Sequence, residues 1–298
     1  MKVLLTGTGG FLGQNAADYL KENNIGVLGL YHKRKPTCSI DGMFSCDLLH
    51  DEIEKYVGNE KIDAIIHFAG QMKGDQVRDY LDNTVTATRR LMDYAQKTQV
   101  RQFIYISSIS VYGETRSDVN ENSDRINLDD YGITKYLCER LLEDAEIESR
   151  IVIRLPRTLG KGCDLSYPWL PKVTGQMLKN EDIYYMNPDL LYNNMLYVDD
   201  LTKFLLFLLN KNKKGFERFV LGAKGKMRIL DILKVLKQDL GSTSNLIEKQ
   251  ASGRNKCYAI DTSYAEECGF CSRTIEDIIK SFVQDVKGLR MEKEYDAK

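Results

Sequence analysis

A chain of 298 residues with 42 Lys and Arg against 43 Asp and Glu has no cationic excess to hold a polyanion, which argues against nucleic acid or an acidic membrane as partner. At this length folding buries about 75% of the unfolded surface, enough for one large domain or two modest ones. Seven irregularly spaced cysteines (Cys38, Cys46, Cys138, Cys163, Cys257, Cys268, Cys271), with no signal segment ahead of them, read as reduced thiols of a cytoplasmic protein.

In chain order, the short apolar run Lys2–Thr6 predicts a strand, Phe11–Asn23 carries apolar residues at helical spacing, and Val27–Tyr31 is a second strand. The alternation continues with a strand over Ile62–Phe68, a helix over Gln76–Lys97, a strand over Gln102–Ser107, a helix over Tyr131–Glu148 and a strand over Arg150–Leu155. Repeated βα units imply an α/β fold, a doubly wound parallel sheet of Rossmann type with helices on both faces. Beyond Pro156 the rhythm breaks at Pro168, Pro171 and Pro188, and helical patterns recur near Leu230–Leu240 and Ile275–Val286 with a strand at Arg218–Leu221. We therefore expect a nucleotide-binding domain over 1–160 and a smaller α+β substrate lobe over 161–298, with about 195–222 returning to the first domain. The most apolar stretch, Phe204–Leu209, is far short of the ~20 residues a membrane helix needs and reads as a buried helix.

The string TGTGGFLG puts Gly7, Gly10 and Gly13 between the first strand and the first helix. There one glycine permits the tight turn, the next lets the backbone approach a pyrophosphate, and the last lets helix pack on strand, while the helix N-terminus aims N–H groups at the anion. That context, rather than the glycines alone, makes a dinucleotide site the expectation. A carboxylate near the end of the second strand would bond the ribose of NAD, yet here the chain reads His32, Lys33, Arg34, Lys35. Cations would pair with a 2′-phosphate, so NADP is expected to be preferred over NAD.

Two Tyr-x-x-x-Lys pairs occur among the 17 tyrosines. Lys35 precedes Pro36, which disfavours a helix at the first pair, whereas Tyr131 and Lys135 fall at i and i+4 of a predicted helix and share a face. Bringing a phenol from a pKa near 10 to about 7 takes about 4 kcal/mol. An ammonium about 4.5 Å away supplies on the order of 3.7 kcal/mol at an effective dielectric near 20. Tyr131 can then serve as general acid or base on a carbinol or carbonyl, with Ser108 holding the oxygen and Lys135 tuning the phenol.

Taken together, these segments resemble the extended short-chain dehydrogenase/reductase family, the nucleotide-sugar epimerases, dehydratases and reductases. TGTGGFLG resembles the family's TGxxGxxG, Asp47-Leu48 its adenine-side pair, HFAG at His67–Gly70 its diphosphate-side loop, and SSISVYG the element whose catalytic serine is Ser108 here. Tyr131 and Lys135 match its YxxxK, while YVDDL at Tyr197–Leu201 and the segment Asp261–Phe270 resemble its substrate-lobe signatures. The resemblance implies a catalytic set of Ser108, Tyr131 and Lys135. It implies a cofactor site of Gly7, Thr8, Gly9, Gly10, Phe11, Leu12, Gly13, His32, Lys33, Arg34, Asp47, Leu48, Phe68, Ala69, Gly70, Ser107, Tyr131, Lys135 and Pro156. Substrate contacts fall to Ser108, Ser110, Tyr131, Arg157 and Asn193, and a homodimer packing through the helices at Gln76–Lys97 and Tyr131–Glu148 is implied.

Departures from the family pattern narrow the reaction. Its dehydratases carry an acidic pair where this chain has Ile109 and Ser110, so dehydration is not expected. Arg157 stands where an asparagine is usual, Thr84 replaces another asparagine, and Asn193 and Ala251 occupy places of diphosphate-gripping arginines, for which Arg157 or Arg254 would have to substitute. Cys268 and Cys271 form a lone CxxC without a second pair at zinc spacing, so no metal is expected, and His67 and His50 are read as local packing or bonding groups. The expected function is an NADP-preferring ketoreductase or 4-epimerase of a nucleotide-activated or related sugar, the basic loop favouring the reductase. The alternatives are a reductase of a non-sugar ketone and a cofactor sensor or scaffold without catalysis, which would have no need of Ser108, Tyr131 and Lys135 together.

Overall fold

The computed structural model describes residues 1–38, 40–71, 76–115, 117–211, 213–250 and 258–296. β1 (Lys2–Thr6) buries Val3, Leu4 and Leu5 completely, as a strand covered on both faces must. α1 (Phe11–Glu22) turns Ala16, Ala17 and Leu20 inward, and β2 (Gly26–Tyr31), β3 (Gly42–Ser45), the single turn α2 (Glu54–Val57) and β4 (Ala64–His67) follow. The helix expected over Gln76–Lys97 is α3 (Val77–Tyr80) and α4 (Ala87–Lys97) joined by a π-helical segment, Leu81–Thr86; such insertions re-aim one turn of a helix and favour functional sites. β5 (Gln102–Ser108) runs into a 3₁₀ turn at Ile109–Tyr112, followed by α5 (Asp130–Glu143) and β6 (Ser149–Leu155). α5 stops short of the expected Glu148 because Arg150 Nη1 donates to the Glu143 and Ala145 carbonyls, at 3.0 and 2.8 Å, and takes over the helix end.

The remaining elements are β7 (Arg157–Leu159), α6 (Leu170–Met177), β8 (Ile183–Tyr185), β9 (Leu191–Tyr192), β10 (Met195–Tyr197), α7 (Val198–Asn210) and β11 (Gly215–Val220). After these come β12 (Met227–Arg228), α8 (Ile229–Leu240), β13 (Leu246–Glu248), α9 (Ser263–Glu267) and α10 (Ile275–Asp296). The chain forms two compact units. Met1–Glu114, Glu121–Leu155 and Thr202–Val220 make the first, and Thr115–Asn120, Pro156–Leu201 and Leu221–Lys298 the second. Against the expected boundary at 160 and return over 195–222, the crossing lies at Leu155 and the return spans Thr202–Val220.

The first unit holds a seven-stranded parallel sheet in the order β11-β6-β5-β4-β1-β2-β3. Strand order reverses between β1 and β4, and in an open α/β sheet a ligand binds outside the carboxyl ends of the strands at that switch point. One face is filled by Leu4, Ile65, Leu91, Phe103, Tyr105 and Leu142 among others. The second unit gathers α8 and α10 around Ile232, Leu236, Ile278, Ile279 and Phe282, with two-stranded pairings β10–β7, β12–β9 and β13–β8. Among the described residues no helix is long and apolar enough to cross a membrane.

Candidate active site

The glycine turn follows β1 at the β1/β4 switch point. Gly7 adopts φ +73°, and a Cβ there would lie 2.8 Å from the Ala69 amide nitrogen. A Cβ on Gly13 would overlap the Gly7 carbonyl, so this glycine lets α1 pack against the end of β1. Gly10 caps α1 and its N–H donates to the Gly7 carbonyl at 3.0 Å. Among the described residues only that same carbonyl, at 3.3 Å, would meet a Cβ on Gly10. This open flank, above a helix whose first turn has no acidic residue, fits a diphosphate approaching the backbone. Thr8 is buried, its Oγ1 donating to the Leu30 carbonyl at 3.1 Å and tying the turn to β2.

Two of the other segments expected at the cofactor lie against this turn. A Cβ on Gly9 would overlap the Arg34 carbonyl, so the basic loop folds against the glycine turn while the Lys33, Arg34 and Lys35 side chains stay exposed. That contact has no periodic signature and was not anticipated for Gly9. Asp47 is tied up locally: it accepts from the Leu49 amide at 2.9 Å and lies 3.0 Å from His50 Nδ1 and 3.7 Å from His32 Nε2. After β4, Phe68, Ala69 and Gly70 run alongside Gly7, the Ala69 amide donating to Thr6 Oγ1 at 3.3 Å. Beneath them His67 is fully buried between Thr6 Oγ1 (2.6 Å) and Thr88 Oγ1 (2.9 Å). Burial, and then the charge of Lys135, lower its pKa to about 3, so it stays neutral.

Ser108 ends β5 and caps the 3₁₀ turn, its Oγ accepting from the Ser110 amide and donating to Ser110 Oγ, both at 3.2 Å. Tyr131 opens α5, half-buried, its ring 6.5 Å from that of Tyr80. One turn on, Lys135 is buried, its Nζ donating to the Ile106 carbonyl at 2.9 Å and lying 4.8 Å from the centre of the Tyr105 ring. A Cβ on Gly70 would sit 3.4 Å from this Nζ, so the ammonium touches the cofactor-side loop. Burial lowers the Lys135 pKa to about 8, against the opposing influence of Cys138 and Glu139. The group therefore remains mostly cationic at neutral pH. It lies 5.9 Å from the Tyr131 ring centre, which at an effective dielectric near 20 is worth about 3 kcal/mol, or roughly two pKa units, to a phenolate there.

Two residues that set this geometry escaped the sequence reading. A Cβ on Gly132 would overlap the Ser110 carbonyl, so only glycine lets the first turn of α5 close on the segment after Ser108. Asp129 caps α5, its Oδ1 accepting from the Gly132 amide at 2.8 Å. A glycine following the tyrosine was the available signal. Thr84, inside the π-helical segment, accepts from the Gln71 amide at 3.0 Å and so anchors the loop beyond Gly70.

Pro156, Arg157 and Asn193 belong to the second unit. Arg157 is half-buried with its guanidinium 5.5 Å from the Tyr167 ring centre. Asn193, expected at the substrate, makes a structural tie. It is buried, its Nδ2 donates to the Ala223 and Ile260 carbonyls at 3.1 and 2.8 Å, and its Oδ1 accepts from the Ile260 amide at 2.7 Å. Ala251, Arg254 and Cys257 lie outside the described residues.

Known proteins are similar to this chain in sequence and in fold. The dTDP-D-glucose 4,6-dehydratase of Dictyostelium discoideum is 24% identical over 268 residues, covering 78% of this chain and 61% of that protein. The UDP-glucose 4-epimerase of Schizosaccharomyces pombe is 30% identical over 163 residues, 48% of this chain and 46% of that protein. The chain thus matches about half to three-fifths of the length of these relatives. In fold it is similar to the crystal structure of UDP-glucuronic acid 4-epimerase from Bacillus cereus in complex with NAD, with TM-score 0.78, 24% identity and coverage of 97% and 99% of the two chains. It is likewise similar to UDP-glucose 4-epimerase from Thermotoga maritima, with TM-score 0.84, 20% identity and coverage of 97% and 99%. Residues 3–222 match the model of the NAD dependent epimerase/dehydratase family, and the chain belongs to that family.

Proposed function

We propose that the chain is an NAD(P)-dependent 4-epimerase of a nucleotide-activated sugar, with a 4-ketoreductase of such sugars as the second reading. The observation that carries the proposal is the buried Lys135 ammonium, 5.9 Å from the Tyr131 ring and in contact with the loop that borders the glycine turn. A nicotinamide cofactor, held by the Gly7–Gly13 turn and the Phe68–Gly70 loop, supplies and removes hydride when bound. The chain's own residues handle the proton. Tyr131 takes it from a sugar hydroxyl on oxidation and returns it on reduction, Lys135 keeps the phenol acidic enough to do so, and Ser108 holds the oxygen. Similarity to epimerases crystallised with NAD or UDP-sugars supports the sugar class and the epimerase mode. Ile109 and Ser110 supply no acid for loss of water, which weighs against dehydration despite the dehydratase among the relatives.

The exposed Lys33, Arg34 and Lys35 beside the turn favour NADP and hence the ketoreductase reading. A tighter Kd for NAD than for NADP would remove that preference. Exposed Val77, Leu81, Ile133 and Leu137 on α3, the π-helical segment and α5 support a homodimer through these helices, and cysteines that form no disulfide among the described residues suit the cytoplasm. Purified protein incubated with UDP-glucose, UDP-N-acetylglucosamine and UDP-glucuronic acid tests the main reading: 4-epimers should accumulate without net change in reduced cofactor. Stoichiometric consumption of NADPH on 4-keto sugars would select the ketoreductase instead. No conversion in either arm would reject both and favour the cofactor sensor.

A further inference from the structure

We propose that the buried Glu139–Arg154 ion pair is a positioning element that holds Ser108 on β5 in phase with Tyr131 and Lys135 on α5; this rests on the catalytic reading of those three residues. Glu139 is one turn beyond Lys135 and two beyond Tyr131, on the same face of α5. Its carboxylate is wholly buried and accepts from Ser107 Oγ at 2.6 Å, from Arg154 Nε at 3.0 Å and from Arg154 Nη2 at 2.7 Å. Arg154, equally buried on β6, spends Nη1 on the Tyr112 hydroxyl at 2.9 Å and the Glu121 carbonyl at 3.0 Å. Ser107 immediately precedes Ser108, and Tyr112 closes the 3₁₀ turn that Ser108 caps. With Arg218 Nε of β11 also 3.4 Å from the Glu139 carboxylate, this pair bolts together the end of β5, the turn after it, β6 and α5.

Stability alone is a weak reason for the pair, since well-packed apolar replacements of buried ion pairs are often neutral or stabilising, and fixing register is the better-attested use. The groups facing Lys135 are His67 from β4, Tyr105 from β5, and Tyr131, Cys138 and Glu139 from its own helix. Among these Glu139 is the carboxylate, and its charge also helps keep Lys135 protonated.

The test replaces both partners, Glu139→Leu with Arg154→Met, and reads the titration of Tyr131 as the tyrosinate absorbance difference between each protein and its Tyr131→Phe counterpart, together with kcat and cofactor Kd. We expect a folded protein with unchanged cofactor Kd, a Tyr131 pKa raised by at least about one unit and kcat lowered at least about tenfold. A folded double variant with wild-type titration and kcat overturns the proposal. If the double variant does not fold, Glu139→Gln, which keeps the shape and an acceptor for Ser107 but breaks the ion pair, must move the Tyr131 titration and lower kcat at least about tenfold, and wild-type titration and kcat in that variant would overturn the proposal. Failure of both to fold would assign the pair to stability and also overturn the proposal. If Tyr131→Phe in the otherwise native chain retains full turnover, the catalytic reading itself fails, and the two failures are thereby distinguished.

Discussion

Replacing Lys135 by Met separates what the ammonium does for chemistry from what it costs the fold. At 5.9 Å from the Tyr131 ring the charge is worth about 3 kcal/mol to a phenolate at an effective dielectric near 20. Lys135→Met should therefore raise the Tyr131 pKa by about two units and lower turnover near neutral pH on the order of 100-fold. Stability should move the other way. The folded pKa is about 8 against an ordinary 10.5, so between those values the unfolded chain binds more protons and stability rises with pH. Below about pH 8 the full penalty applies, about 3 kcal/mol, and above 10.5 it is gone. The Met variant loses that penalty but leaves the Ile106 carbonyl without its Nζ donor, a loss of about 1–3 kcal/mol, so its neutral-pH stability should match or exceed wild type. Denaturant unfolding at pH 7 to 10.5 of both proteins, with the tyrosinate titration alongside, measures each part. A variant several kcal/mol less stable at pH 7, or a Tyr131 titration that does not move, refutes the reasoning.

Four further outcomes are expected. Gly10→Ala should fold with near-native Tm yet bind NAD and NADP at least about tenfold more weakly, about 1.4 kcal/mol, because its added methyl meets protein only at the Gly7 carbonyl and otherwise fills the open flank; calorimetric titration checks this. Asn193→Ala should destabilise the protein by about 3 kcal/mol through unpaired backbone groups at Ala223 and Ile260, with a substrate KM in the surviving folded fraction close to wild type. Asp129→Ala should cost about 1 kcal/mol in unfolding free energy as α5 loses its cap. Because the His67 pKa falls from 6.5 to about 3 on folding, the unfolded chain binds the extra proton below 6.5, and this group should remove about 5 kcal/mol of stability by pH 3; a His67→Gln variant should show a shallower acid limb.

The strand, glycine turn and helix over Lys2–Glu22 were legible because periodicity, turn chemistry and helix entry agree there. Tyr131 and Lys135 were legible because their spacing matches one turn of a helix. β3 was missed: Gly42–Ser45 is four residues at the sheet edge with no buried residue, so its pattern carries no period. The π-helical segment at Leu81–Thr86 leaves local composition helical and shows only in three dimensions. Gly132, Glu139 and Arg154 act through contacts whose partners lie 15 to 42 residues away or across a packed turn, and a single sequence does not reveal such pairings. The backbone ties of Asn193 were not legible because alignment with a ligand-gripping position fixes a place in the chain, not the direction in which a short amide finds its hydrogen bonds.

The most direct measurement is the turnover of Tyr131→Phe on whichever nucleotide sugar the wild-type protein converts, with cofactor affinity measured in the same preparation. Loss of the phenolic proton should lower kcat at least about 100-fold while the Kd for the dinucleotide stays within about a factor of two. A variant that turns over at the wild-type rate would show that no proton passes through this hydroxyl.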